Sequence, residues 1–370
     1  MKIAMITDTH LGYARFDEDA FVQAQNAFSD AVTKADIILF AGDMFDTKIP
    51  KLETLASAVE IVKHAKEKGI PIFAIHGNHE RRTKDTLNPL QLLARVGLVT
   101  YLHNRFEIFE KNGEMIQVFG LGSIPEEFAL TSMKGMMKNF CPTDNAFRIL
   151  LIHQTVHEML SNNDQDITLD YLETLPFDLI VNGHHHGKTT KIENRFIMPG
   201  STVITQLKKE ESEQKGYGIY DTAKKTYEFV PIVCRKLFYE RLDFNDAAIA
   251  DIKKAVQEKV ESIRKTDKNA IIAIKLEGSL KDGLQTTDIK FETFENVFID
   301  NRLNFDSLAT KLEKIRNLRE EKLSVRELAL NELINKMRSK VTLFDPAELF
   351  EKLIEGSDEA VEYLQGTKNK

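Results

Sequence analysis

The chain has 370 residues, of which 42% are hydrophobic and 29% are charged, and its formal net charge is −7. This composition excludes a disordered or collagen-like chain, and the length suffices for two or three domains with buried cores. Two distant cysteines exclude a disulfide framework and a thiolate zinc site, and the acidic balance weighs against a nucleic-acid partner.

The region from Met1 to Val233 alternates short apolar runs with segments of helical periodicity. The runs predicted as buried strands are Lys2–Thr7, Asp36–Ala41, Ile70–His76, Arg148–Ile152 and Asp178–Asn182. The segments predicted as helices are Ala20–Lys34, Leu52–Lys68 and Asn88–Val96. This alternation predicts an α/β fold with a sandwich architecture. From Phe196 to Pro231 the pattern is that of hairpins, so we expect a mixed sheet.

A smaller α+β unit is predicted next. Its elements are a helix at Asn245–Arg264 and strands at Ala270–Leu276 and Thr293–Ile299. After Phe305 the pattern is wholly helical. We therefore predict three regions, which are residues 1–234, a cap at residues 235–303 and a helical segment at residues 304–370.

Polar side chains follow each of the predicted strands of the first region. In chain order these clusters are Asp8-Thr9-His10, Gly42-Asp43-Met44-Phe45-Asp46, Gly77-Asn78-His79-Glu80, His153 and Gly183-His184-His185-His186. Because the carboxyl ends of strands in an open α/β sheet share one edge, we expect the clusters to converge. Glycines before Asp43, Asn78 and His184 allow turns that direct these side chains towards a common centre.

The donor chemistry of these clusters is that of a metal centre. Carboxylates, imidazoles and one amide, without thiolates, suit manganese, iron, magnesium or zinc. About seven donors are too many for one tetrahedral ion but fit two, held roughly 3.5–4 Å apart by a shared carboxylate as in phosphoester hydrolysis. A single histidine is more often structural than a ligand, so we assign structural roles to His64, His76, His103 and His157.

The pattern D-x-H, GD-x-x-D, GNH-E, H and GH-x-H resembles the calcineurin-like binuclear metallophosphoesterase superfamily. Further stretches resemble the SbcD-type DNA repair nucleases of the meiotic-recombination-eleven family. They are Asp8–Tyr13, Gly42–Thr47, Leu90–Leu93, Gly97–Val99, Leu150–Gln154, Pro199–Thr202 and Lys215–Gly218. The resemblance covers nearly the whole chain and is weakest after Arg235. It implies a metallophosphoesterase β-sandwich flanked by helices, with a small cap domain and a helical C-terminal segment.

Carried over residue by residue, the resemblance implies the ligands of two Mn²⁺ ions. Asp8, His10, Asp43 and His186 would hold one ion. Asp43, Asn78, His153 and His184 would hold the other, so that Asp43 bridges the two.

Three further residues of the clusters receive roles from the same resemblance. His79 would face the scissile phosphate and stabilise or protonate the leaving oxygen, as the catalytic side chain. His185 would point away from the ions. Asp46 stands where the archaeal and eukaryotic branch of the family often has histidine and the bacterial branch has aspartate.

The function implied by the resemblance is manganese-dependent hydrolysis of DNA, as exonuclease and endonuclease, in double-strand break repair. The implied partner is a coiled-coil ATPase of the SbcC or Rad-fifty type, related to the SMC proteins, which would dock on the helical segment. A homodimer is expected through the helices around Leu55 and Leu92. The first apolar run, Ile3–Ile6, is too short for a secretory signal, and no run approaches the roughly 18 residues of a membrane span. We therefore expect a cytoplasmic, nucleoid-associated protein without membrane contact.

Two alternatives stay open. One is a small-substrate enzyme of the same superfamily, such as a cyclic nucleotide phosphodiesterase, although such an enzyme has little use for the cap and the helical segment. The other is a non-catalytic scaffold on the same fold, but that alternative predicts gaps among the metal ligands, and the sequence contains all of them.

Overall fold

The computed structural model describes residues 1–303 apart from 84–85, 139, 161–166, 282–283 and 285, together with residues 348, 349, 352, 361 and 363. Apart from these five positions, the helices predicted after Phe305 lie outside the described residues. The chain divides into two compact units. The first comprises Met1–Leu242, Lys253–Lys275 and Phe291–Asp300, and the second comprises Asp243–Ile252, Leu276–Lys290 and Asn301–Lys370.

The helices and strands alternate along most of the described chain. In order they are β1 (Lys2–Ile6), α1 (Asp17–Lys34), β2 (Ile37–Phe40), α2 (Leu52–Glu67), β3 (Ile72–Ala74), α3 (Pro89–Arg95), β4 (Thr100–Tyr101), β5 (Arg105–Lys111), β6 (Glu114–Leu121), α4 (Glu126–Lys138), β7 (Phe147–Ile152), α5 (His157–Leu160), α6 (Leu169–Glu173), β8 (Leu179–Asn182), β9 (Thr189–Lys191), β10 (Phe196–Met198), β11 (Gly216–Asp221), β12 (Thr226–Pro231), β13 (Leu237–Ala247), α7 (Ile249–Thr266), β14 (Ile271–Leu280) and β15 (Val297–Leu303). No helix in this described part is long and apolar enough to cross a membrane.

Two six-stranded sheets form the first unit's framework. The strand order is β12-β11-β1-β2-β3-β4 in sheet 1 and β5-β6-β7-β8-β10-β9 in sheet 2. In sheet 1 the strands β1 to β4 run parallel, whereas β11 pairs antiparallel with β1 and β12 pairs antiparallel with β11. In sheet 2 the strands β6, β7, β8 and β10 are parallel, with antiparallel neighbours at both edges. The prediction of a mixed sheet is confirmed.

The two sheets pack face to face, with helices on both outer faces. Alternate residues of β1, such as Ile3 and Met5, point into the core between the sheets, where they meet Leu151 of β7 and Val181 of β8. The other face of sheet 1 packs against α1, α2 and α3. The other face of sheet 2 packs against α4 and α6. Strands that are buried on both faces require continuous apolar runs, which is why β1, β2, β7 and β8 were recognisable in the sequence.

Several predicted boundaries differ from the structure. The strand predicted at Ile70–His76 is only Ile72–Ala74, and the helix predicted to begin at Asn245 begins at Ile249. The reason for the second difference is that residues 245–247 complete β13. The hairpin β5–β6 and helix α4 were not predicted.

Strands β13, β14 and β15 form a separate three-stranded sheet. Within the first unit, the beginnings of β13 and β14 and the Phe298 side chain of β15 share an apolar cluster with Phe16 and Ile204. The rings of Phe16 and Phe298 meet edge to face at 6.0 Å. The Arg235 guanidinium pairs with the Asp19 carboxylate beside this cluster.

Candidate metal centre

The predicted ligands lie at the carboxyl ends of strands from both sheets. Sheet 1 carries four of them, which are Asp8 and His10 after β1, Asp43 after β2 and Asn78 after β3. Sheet 2 carries the other three, which are His153 directly after β7 and His184 and His186 after β8. The sandwich thus brings together residues that are up to 178 positions apart in the sequence.

The first group of donors consists of Asp8, His10 and His186. The Nε2 atoms of the two histidines lie 3.2 Å apart, and each lies just under 4 Å from Asp8 Oδ1, at 3.9 Å for His10 and 3.8 Å for His186. Three donor atoms therefore face one another around a common point.

The second group consists of Asp43, His153 and His184. His153 Nε2 lies 3.2 Å from Asp43 Oδ2 and 3.0 Å from Asn78 Oδ1, and His184 Nδ1 lies 2.9 Å from the same Asn78 oxygen. These contacts link all four ligands that were predicted for the second ion. The bridging role of Asp43 stays a prediction.

A backbone contact joins the two groups, because the His184 N–H donates to Asp8 Oδ2 at 3.2 Å. Four of the predicted ligands also have left-handed backbone conformations, which side chains other than glycine adopt rarely. These are Asp8 (φ 52°), His10 (φ 44°), Asp43 (φ 55°) and His184 (φ 79°). Such conformations cost about 1–3 kcal/mol each and concentrate at functional sites.

Two glycines near Asp43 occupy positions where there is no room for a side chain. A Cβ on Gly77 would stand 2.0 Å from Asp43 Oδ1, and a Cβ on Gly42, whose φ is +96°, would stand 2.5 Å from His153 Nδ1. Both residues must therefore be glycine if the Asp43 carboxylate and the His153 ring are to occupy these places.

The second nitrogen of three rings has an oxygen partner on the protein. His10 Nδ1 lies 3.2 Å from Asp46 Oδ1, His153 Nδ1 lies 2.7 Å from Ala41 O, and His186 Nδ1 lies 2.8 Å from Glu211 Oε1. A ring that donates from Nδ1 to such an oxygen keeps the Nε2 lone pair directed into the site. This is the usual arrangement for metal-binding histidines.

His79 lies beside the first group. Its backbone N–H donates to Asp43 Oδ1 at 2.9 Å, and its Nδ1 lies 2.9 Å from Asp46 O. Its ring stands edge to face with that of His10 at 4.8 Å, and its side chain is 39% exposed. His185 lies elsewhere, with its Nδ1 3.2 Å from Gly187 O.

Three carboxylates near the site received no ligand role from the sequence, although Asp46 and Glu80 belong to clusters that were expected to converge there. Asp46 lies between His10 and His79, with its Oδ1 3.5 Å from His79 Nδ1. Glu80 is fully buried and accepts hydrogen bonds from the N–H groups of Phe45 and Gly77, both at 2.9 Å, so it ties the β2 loop to the β3 loop. Glu211 faces His186. The pattern GNH-E contained a signal for Glu80, whereas no sequence pattern marked Glu211.

The proximity of these groups shifts several pKa values. Burial lowers the pKa of His153, but the facing Asp43 carboxylate outweighs it and raises that pKa to about 9. Burial and the neighbouring His153 lower the pKa of His184 to about 4. Burial and the nearby Asp43 raise the pKa of Glu80 to about 8. Burial opposes ionisation of Glu211, yet the hydrogen bond with His186 and the charge of Lys215 hold its pKa at about 2.

The donor arrangement fits divalent cations. The buried oxygen Asp8 Oδ1 has no hydrogen-bond partner in the described part of the chain, although its residue is completely inaccessible to solvent. A buried carboxylate oxygen left without a partner is unfavourable unless a cation faces it. Oxygen and imidazole donors without thiolates suit manganese, magnesium, iron or zinc.

Comparison with known proteins places the site in a wider context. Residues 1–188 match the model of the calcineurin-like phosphoesterase family. The chain is 24% identical to the DNA double-strand break repair protein Mre11 of Methanococcus maripaludis, over 98% of both chains. It is 26% identical to the double-strand break repair protein MRE11 of Arabidopsis thaliana, over 58% of this chain but only 39% of that protein.

A solved structure also resembles the fold. The crystal structure of TT1561 of Thermus thermophilus superposes with a TM-score of 0.44 at 15% identity. It covers 62% of this chain and 98% of that one.

Proposed function

Because the chain belongs to the calcineurin-like phosphoesterase family, we propose that it is a manganese-dependent DNA phosphodiesterase that processes DNA ends as exonuclease and endonuclease. The observation that carries the proposal is the pair of donor groups, Asp8 with His10 and His186, and Asp43 with His153 and His184. Two adjacent oxygen and nitrogen sites at the edge of a sandwich suit hydrolysis at phosphorus. The curated relatives named above, which are break repair proteins, support DNA as the substrate.

The seven predicted ligands would hold two Mn²⁺ ions, with Asp43 shared between them. Ions bound there would supply Lewis acidity to the phosphoester. The chain itself fixes the donors, because the partners of the second ring nitrogens of His10, His153 and His186 orient these rings.

His79 would act on the leaving oxygen. Its Nδ1 faces the carbonyl of Asp46, so this nitrogen donates and the exposed side of the ring is available for substrate. A protonated ring would stabilise the departing oxygen or give it a proton.

Positively charged side chains near the second donor group support a polyanionic substrate. A cavity of about 320 Å³ is lined by Asn78, His153 and His184 and also by Arg81, Glu126 and Glu127. Arg81 and Pro125 also line an adjoining cavity of about 450 Å³, together with Lys48 and Arg82. Every charged side chain that the structure places on this second cavity is a cation, in a chain whose net charge is −7. The positive charge at this cavity weakens the argument against a nucleic-acid partner that was drawn from the net charge of the whole chain.

The partners belong to the same proposal. The cap at residues 235–303 would help to hold DNA, and residues 304–370 would dock a coiled-coil ATPase of the SbcC or Rad-fifty type. Homodimerisation would use the region of α2 and α3, where Leu92 is 39% exposed and Ile49, Leu52 and Val96 are exposed as well. Leu55, in contrast, packs partly on its own core. The protein would act where DNA is, at the nucleoid of a prokaryotic cell.

One cleavage experiment tests the activity. The unmutated protein and Asp43→Ala are incubated with Mn²⁺ and linear duplex, hairpin DNA or a cyclic dinucleotide, with and without the ATPase. We expect cleavage of the DNA substrates by the unmutated protein only. Cleavage of the cyclic dinucleotide alone would favour the small-substrate enzyme, and no cleavage of any substrate would favour the scaffold.

A further inference from the structure

A buried ion pair stands behind the first donor group. The Lys215 ammonium donates to Glu211 Oε2 at 2.6 Å and to Ser201 Oγ at 2.8 Å. Glu211 is 5% exposed and Lys215 is 4% exposed, so the charges are almost removed from water. The free-energy cost of removing two charges from water can exceed the attraction between them. A buried ion pair is therefore weak evidence for a purely stabilising role.

The other carboxylate oxygen of Glu211 is directed at His186. Its Oε1 lies 2.8 Å from His186 Nδ1, and Thr205 Oγ1 lies 2.7 Å from the same nitrogen and 3.3 Å from Glu211 Oε1. The Tyr13 hydroxyl donates to Thr205 O at 2.6 Å, which fixes the Thr205 backbone. With these acceptors around Nδ1, the proton of a neutral His186 ring resides on Nδ1 and the lone pair on Nε2.

Residues that are not metal ligands, from three of the sequence stretches that carry the family resemblance, meet here. Tyr13 ends the stretch Asp8–Tyr13, Ser201 lies in Pro199–Thr202, and Lys215 begins Lys215–Gly218. Each contributes one polar group to the network that ends on His186.

We propose that Glu211, held in place by Lys215 and Ser201, is a positioning residue that fixes the tautomer and orientation of the His186 ring for the metal ion of the first donor group. The Lys215 charge balances that of Glu211, so the ring is held without adding net charge to the site. Loss of an outer carboxylate partner of this kind typically weakens metal binding about 10- to 100-fold. The inference rests on the proposed metal centre.

The test compares two double variants of the full chain. Glu211→Leu with Lys215→Met removes both charges and the acceptor, and keeps an apolar pair of similar volume, so the protein should still fold. Glu211→Gln with Lys215→Met also removes both charges but keeps an amide oxygen that can accept from His186 Nδ1. Glu210→Gln, an exposed neighbour, is the control for loss of one carboxylate.

Mn²⁺ binding is titrated by electron paramagnetic resonance, and melting temperatures are measured on the same samples. We expect the Leu/Met variant to melt like the unmutated protein but to bind one of its two ions about 10- to 100-fold more weakly. The Gln/Met variant should recover most of that loss, and the control should bind both ions normally. Nitrogen-15 spectra of the metal-free imidazoles should show one His186 tautomer in the unmutated and Gln/Met proteins and a mixture in the Leu/Met variant.

The two possible failures are distinguishable. If the unmutated protein binds two ions and the Leu/Met variant binds both with unchanged affinity and an unchanged His186 tautomer, the positioning role is refuted and the pair is only structural. Equal weakening in the two double variants would also refute it, because the acceptor would then not matter. If the unmutated protein binds no Mn²⁺, the proposed metal centre itself is refuted.

Discussion

His10 and His186 direct their Nε2 atoms at each other across 3.2 Å, although they come from different sheets. Two imidazole nitrogens in this relation either share one proton or present two lone pairs to a cation. Because Nδ1 of each ring already faces a carboxylate oxygen, of Asp46 and of Glu211, the second arrangement agrees with the rest of the site.

The first prediction concerns metal content. The protein should bind two Mn²⁺ ions, His10→Ala should mainly weaken one of them, and Asp43→Ala should lose both if the ions share this carboxylate as proposed. Equilibrium dialysis followed by metal analysis measures the stoichiometry, with Asp17→Ala, an exposed carboxylate on α1, as the control. A single tightly bound ion in the unmutated protein would contradict the two-metal proposal, and less than one would favour a scaffold.

The second prediction concerns pH. Since the pKa of His153 is raised to about 9 in the metal-free protein, its ring is protonated at pH 7 and must lose that proton to bind an ion. Metal affinity at the second donor group should therefore increase with pH up to about 9, by at most about tenfold for each pH unit. Calorimetry in two buffers of different ionisation enthalpy should show about one proton released per chain from this group at pH 7. An affinity independent of pH between 6 and 9 would rule this out.

The third prediction separates chemistry from binding at His79. We expect His79→Asn to keep both ions, DNA affinity and the melting temperature, but to cut DNA at least about a hundredfold more slowly, since loss of a general acid typically costs about 10²–10⁴-fold. His185→Asn, at a half-buried ring outside the donor groups, is the matched control. Loss of an ion from His79→Asn would make this residue a ligand, and a lower melting temperature with near-normal turnover would make it structural.

The fourth prediction concerns the homodimer. Leu92→Asp should give a folded monomer, because a charge placed in an apolar interface is strongly unfavourable. Val22→Asp is the control, since Val22 on α1 is 41% exposed and Leu92 is 39% exposed. Light scattering at micromolar concentration measures the mass. A monomeric unmutated protein would refute the dimer.

The fifth prediction concerns the helical segment, which lies outside the described residues except at isolated positions. Leu343, Phe344, Ala347, Phe350 and Leu353 recur at helical spacing, and such an apolar face must either cover its own chain or bind a partner. Removal of residues 341–370 should leave a stable nuclease that no longer binds the coiled-coil base of the ATPase. If the shortened protein still co-purifies with the ATPase and binds it with unchanged affinity, the docking site would lie in the preceding helices instead.

The α/β sandwich could be predicted because its central strands are buried on both faces. The hairpin β5–β6 was missed because the edge strand Arg105–Lys111 has no buried residue, and the adjacent Ile108 and Phe109 interrupt the alternation of charged and apolar side chains that would indicate a strand. Its partner β6 is apolar from Ile116 to Leu121 apart from Gln117, but it follows a strand that gives little signal.

The convergence of the polar clusters could be predicted because each closely follows a strand, so sheet topology alone brings them together. Glu211 could not be placed in this way. Glu211 lies in a short turn of one 3₁₀-helix, 25 residues after the ring it contacts, and only the packing of that turn against His186 defines its role. Contacts made through irregular segments leave no periodic trace in a sequence.

Neither of the two donor groups assigned to the ions lies wholly on one sheet. The first group takes Asp8 and His10 from one layer and His186 from the other, and the second takes Asp43 from one and His153 and His184 from the other. Each ion would therefore link the two sheets, and its affinity would depend on how tightly the sheets pack against each other. Larger or smaller side chains in place of Ile3 and Leu151, in the apolar core between the sheets, would weaken metal binding although neither residue is a ligand. A saturating concentration of the metal would in turn stabilise the packing of the two sheets.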